Sequence, residues 1–108
     1  MNHISNLEKV FDDYEDHDQS VLIDPQIQIF ILLASNPSQS FTLEQITEGI
    51  KPNLKGLVNI SKGKIRQSFS ILYRLELVTF DFITRTYKYN PSTNSERLLH
   101  HINKIRQL

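Results

Sequence analysis

None of the chain's 108 residues is a cysteine. That excludes a disulfide scaffold, a thiol nucleophile and any zinc site built on thiolates, and it fits a reducing compartment. The longest apolar run, Ile29–Ala34, is far too short to cross a bilayer. The opening residues, MNHISNLEKVF, lack the basic start and apolar stretch of a signal peptide. A cytoplasmic protein without membrane association is expected. Glycine is scarce at three residues. There is no glycine-rich phosphate loop, no nucleophile elbow and no paired-carboxylate setting for acid–base work. The chain therefore reads as a non-enzyme, with no catalytic residue and no cofactor.

What is present is an uneven distribution of charge under a net charge of zero. Residues 1–48 hold nine acids against Lys9 alone, a net of −8, and residues 49–108 hold eleven Lys and Arg against three acids, a net of +8. Such asymmetry points to a polyanion or an acidic partner for the basic half. The plain alternative is that the two halves attract each other in the folded chain. The acidic run Asp12–Asp18 lacks the glycine and terminal glutamate of an EF-hand at their spacing and reads as an exposed linker. His100 and His101 are adjacent and diverge on a helix, with His3 and His17 elsewhere, so no metal site is expected.

Hydrophobic spacing lays out the elements. Ile4, Leu7, Val10, Phe11 and Tyr14 share one helical face. Asp24-Pro25 pairs an N-cap with proline at the first helical position and opens a helix over 25–34, apolar almost all round and expected to be the most buried. Asn36-Pro37-Ser38 ends it, and Phe41 enters as an extended residue. Thr42 with Gln45 matches a capping box for a short helix holding Leu43, Ile46 and Ile50, closed by Gly49 and Pro52. After a loop over 51–59, Ser61 caps a helix running to Leu75 or Glu76. Val78, Phe80 and Phe82, then Tyr87 and Tyr89, alternate as a hairpin with its tip near Thr84-Arg85. Asn90-Pro91 ends the second strand. Ser92–Asn94 supply caps for a last helix over 94–108, with Leu98, Leu99, Ile102, Ile105 and Leu108 on one stripe.

The Ser61 helix, SKGKIRQSFSILYRLELV, divides into two faces. Ile65, Ser68, Phe69, Leu72 and Leu75 form the core side, and Gly63, Arg66, Gln67, Ser70 and Arg74 lie opposite, with Tyr73 at the margin. Lys62 and Lys64 flank the first turn, where the helix dipole is already positive. Each such exposed charge costs roughly 0.3–1 kcal/mol at low salt. The same place suits a phosphate. Arg, Gln and Ser can bond base edges, and Gly63 would allow close approach.

The order helix, helix, short helix, helix, hairpin, helix gives a mainly α fold with a small β-hairpin. FTLEQI, then ISKGKIRQSFSILYRLELV, then TFDFITRTYKY, resemble the winged helix-turn-helix superfamily, particularly archaeal and bacterial regulators of the MarR or PadR kind. The resemblance covers a core of about 25–89 within a single domain of 1–108, with extra N- and C-terminal helices over 4–14 and 94–108. One departure is the connection Gly49–Ile60, longer than the tight turn usual in these regulators. The resemblance implies a recognition helix entering the major groove of double-stranded DNA, with Lys62, Gly63, Lys64, Arg66, Gln67, Ser70 and Arg74 as its contact set. It implies a wing carrying Arg85 and Lys88, Arg85 reaching the minor groove or backbone. It implies a nucleoid-associated, homodimeric transcriptional regulator, with Leu7, Phe11, Tyr14, Leu98, Ile102 and Ile105 as dimer-interface candidates; packing within one chain is the alternative use of those stripes. The competing reading is a winged-helix module for protein–protein contact within a larger complex, since fold alone does not separate the two.

Overall fold

A helix that is apolar round most of its circumference must sit among neighbours on several sides. Helix α1 (Pro25–Ser35) does so: Ile27, Ile29, Phe30 and Leu33 are buried and Ile31, Leu32 and Ala34 half-buried. The computed structural model describes residues 25–53 and 61–106. The expected helix over 4–14, the Asp24 cap, the acidic run Asp12–Asp18 and most of the loop over 51–59 lie outside the described residues. Those described form a mainly helical structure of four α-helices with one two-stranded antiparallel hairpin.

Helix α2 (Leu43–Ile50) starts on the expected capping box. Thr42 Oγ1 accepts from Gln45 N–H at 3.2 Å, and Gln45 Oε1 accepts from Thr42 N–H at 2.9 Å. Its end differs from expectation. Gly49 lies inside the helix, which continues through Ile50 into a 3₁₀ turn, Lys51–Asn53, that accommodates Pro52. A Cβ at Gly49 would stand 2.8 Å from Leu32 Cδ2. Glycine here lets α2 lie close on α1 rather than ending a helix.

Helix α3 (Lys62–Arg74) is capped by Ser61, whose Oγ accepts from Lys64 N–H at 3.1 Å. All five expected core residues are buried, and so is Ile71. The helix closes in a Schellman arrangement: Glu76 N–H donates to Tyr73 O at 3.0 Å and Leu77 N–H to Leu72 O at 2.9 Å. Leu72 and Leu77, the apolar pair of that motif, are both fully buried.

Strand β1 (Val78–Asp81) pairs with β2 (Thr86–Tyr89) in the register Val78↔Tyr89, Thr79↔Lys88, Phe80↔Tyr87 and Asp81↔Thr86. Phe82, expected in the strand, belongs to the connecting turn. Asp81 Oδ1 accepts from Ile83 and Thr84 N–H at 2.8 and 3.2 Å, which bends the chain one residue early. Phe41 adds a one-residue third strand, exchanging two 2.8 Å backbone bonds with Tyr87. Tyr87 stacks on Phe69 with ring centroids 3.7 Å apart, fastening the hairpin to α3.

Helix α4 (Thr93–Arg106) is capped by Ser92, which accepts from Ser95 N–H at 3.1 Å. The same segment clamps the end of α3. Asn90 Nδ2 and Ser92 Oγ donate to Glu76 O at 2.8 and 2.6 Å, and Asn94 Nδ2 donates to Leu75 O at 2.9 Å. With its start held there, α4 turns its stripe inward. Leu98 and Ile102 are 0% and 1% exposed within the chain's own core, which corrects their assignment to a dimer interface. Leu7, Phe11 and Tyr14 lie outside the described residues, and only the backbone of Ile105 is described. Among the described residues no helix is long and apolar enough to cross a membrane.

Candidate functional site

The buried face of α3 determines what its other face presents. With Ile65, Phe69 and Leu72 inside, Lys62, Gly63, Lys64, Arg66, Gln67, Ser70 and Arg74 are all exposed, along the full length of the helix. No acid lies in the first turn of α3. A Cβ at Gly63 would meet nothing nearer than Ser61 Oγ at 3.9 Å, so nothing within the fold requires glycine there.

Stacking of Tyr87 on Phe69 sets the hairpin beside this face and leaves a cleft of about 590 Å³ between them. Arg66 from α3 and Arg85 from the hairpin both line it, together with the start of α2 at Thr42, Leu43 and Glu44. Its floor is aromatic, made by Phe80, Phe82 and Tyr87. An adjoining hollow of about 240 Å³ continues along α3 past Phe69, Ser70 and Tyr73. Burial raises the Tyr87 hydroxyl above its ordinary value, with Arg66 opposing, so the ring enters the cleft as a neutral phenol.

Three features of the site escape a linear reading. Glu44, on the first turn of α2, brings a carboxylate into the cationic face, and Lys62 Nζ donates to its Oε1 at 3.4 Å. A backbone hydrogen bond foremost, then Lys62, then Arg66 hold that carboxyl below its ordinary value. The two residues are 18 apart in sequence, and only the packing of α2 on α3 joins them. Lys88 does not share the cleft: it pairs with Thr79 on the outer face of the hairpin, because strand side chains alternate and Tyr87 points inward. The turn also exposes large apolar groups, with Phe82 80% and Ile83 94% accessible and Tyr73 55% accessible nearby. The alternation of Phe80 and Phe82 places both inward, whereas the Asp81 turn leaves Phe82 at the rim of the cleft and mostly accessible.

Arg85 sits in the loop with φ of 55°, a left-handed conformation that ends the turn and carries its guanidinium to the mouth of the cleft. The arrangement is one of charge and shape. A cationic helix face, two guanidinium groups across an aromatic floor and a projecting hairpin can hold an extended polyanion. Comparison with models of protein families, with curated proteins and with solved structures finds no match.

Proposed function

We propose that the chain is a winged helix-turn-helix module that binds double-stranded DNA as a transcriptional regulator, with α2 and α3 as the helix-turn-helix and the hairpin as the wing. One observation supports the reading: Arg66 and Arg85, from two elements, converge with Glu44 on one cleft beside an exposed helix face that is mainly cationic and polar, with Tyr73 at its margin. Lys62 and Lys64 at the start of α3 meet phosphates, where the helix dipole and the cations act together. Arg66, Gln67, Ser70 and Arg74 lie along the groove-facing side and reach base edges or the backbone. Arg85 contacts the backbone or minor groove from the wing, and Lys88 approaches the phosphates from the wing's outer side.

The test is retention of a random-sequence duplex in a gel shift at low salt, comparing the parent with Lys62→Glu combined with Lys64→Glu. The parent retains the duplex and the double variant loses it. Absence of retention by the parent, or an unchanged double variant of intact fold, contradicts the reading. A protein-contact module is the second reading, favoured by the exposure of Phe82 and Ile83 at the hairpin tip. The proposed homodimer uses surfaces other than Leu98 and Ile102, which lie in the chain's own core.

A further inference from the structure

Phe82 and Ile83 are the two most exposed large apolar side chains among the described residues, and they are neighbours at the point of the hairpin. Phe82 keeps an edge-on contact with Phe80, ring centroids 5.0 Å apart, at the rim of the cleft, while Ile83 stands clear of the cleft. The tip is stiff. Two backbone N–H groups bond the Asp81 carboxylate, the hydroxyls of Thr84 and Thr86 meet at 2.7 Å, and Arg85 locks the turn in a left-handed conformation. Its base is stiff too, through the Phe69–Tyr87 stack and the Phe41 bridge. A turn whose backbone is held at these points loses little backbone entropy on insertion.

We infer that Phe82 and Ile83 form an apolar wedge that enters the minor groove of duplex DNA and partly unstacks a base step. The inference rests on the duplex-binding reading above. Architectural proteins kink DNA in this way, with apolar side chains inserted between base pairs and cations beside them. The cations are in place here on both sides of the hairpin: Arg85 and Arg66 at the cleft, and Lys88 on the outer face. The acid of the hairpin, Asp81, is turned into the loop and engaged by its backbone. Charge separates a wedge from a protein-docking patch: cations flank the two apolar side chains on both faces of the hairpin, and its one acid is taken up by its own turn. A base step needs only a point, and the surrounding cations match its phosphates.

Two duplexes test the wedge: an alternating thymine–adenine duplex with 2-aminopurine replacing some adenines, and a stiff A-tract duplex. The protein is compared with Phe82→Ala combined with Ile83→Ala, and with Ile83→Asn alone, whose side chain is almost wholly in solvent. Binding of the parent raises 2-aminopurine fluorescence, as unstacking does, and favours the deformable duplex by about tenfold. Ile83→Asn, outside the cleft lining, still binds with the same salt dependence but loses the fluorescence rise and the preference, and the double variant loses both as well. If the parent binds duplex without a fluorescence rise, the wedge is overturned and the duplex-binding reading stands. If it binds neither duplex at low salt, both fall. A self-association that sedimentation detects and the double variant abolishes assigns the tip to protein contact, and also overturns the wedge.

Discussion

Glu76 occupies the position after a helix end that glycine usually takes. Its φ of 63° is left-handed, and the two Schellman bonds that end α3 hold it there. An L-residue in that region costs roughly 1 kcal/mol. Glu76→Gly should therefore raise stability by about 0.5–1 kcal/mol, read as a higher denaturant midpoint at unchanged slope. A lower midpoint would mean that the side chain is needed where it stands. No glycine signals this helix end, so the exit could be read only from the change of period at Val78. His101 is a second residue whose role the stripe of α4 concealed. It is buried, and burial foremost, then Arg97, His100 and Lys104, push its pKa below the ordinary 6.5. The unfolded chain takes up that proton more readily, so acid favours unfolding. The contribution is intact above 6.5 and is lost as the pH falls below it, toward the depressed native value. The thermal midpoint should drop between about pH 7 and about pH 5. His101→Leu should flatten that drop, and an equal drop in the variant would place its cause elsewhere.

The caps and the two faces of α3 were legible because each is a local matter. Ser61 reaches only to Lys64, Thr42 only to Gln45, and a helical face follows from spacing along one segment. Contacts between elements were not legible. Gly49 looked like a helix terminator and is the place where α2 touches Leu32 of α1. Glu44, the acid in the first turn of α2, is the partner of Lys62, which no local pattern signals. On the proposed reading, that carboxylate repels phosphate and occupies a lysine that could contact it. Glu44→Gln should tighten duplex binding by roughly two- to fivefold at low salt, the size of one exposed charge interaction. The gain should shrink as salt screens it. Weaker binding by Glu44→Gln would instead make the carboxylate a recognition group, accepting from cytosine in the groove.

Across the chain, a net of +8 over residues 49–108 stands against −8 over residues 1–48. Charge alone left two possibilities, attraction between halves or an external polyanion. The described structure bears on this through particular groups: Glu44 pairs with Lys62 and Glu48 with Lys51, Arg66 also acts on Glu44, and Lys62, Lys64, Arg66, Arg74, Arg85 and Lys88 are all exposed. The mainly helical order with its hairpin could be read from the sequence, since periodicity shifts sharply from 3.6 to 2 after Leu77 and back after Pro91. The inward turn of α4 could not, since an amphipathic stripe does not say whose core it enters. On the proposed reading, phosphate neutralisation by Lys62, Lys64, Arg66, Arg74, Arg85 and Lys88 sets how binding responds to salt. The most direct measurement is the affinity for duplex DNA across a salt titration. Log affinity against log salt should fall with a slope of roughly −5 to −6, about 0.9 for each neutralised phosphate. A slope near zero, or no binding at the lowest salt, would contradict the assignment of this face to DNA.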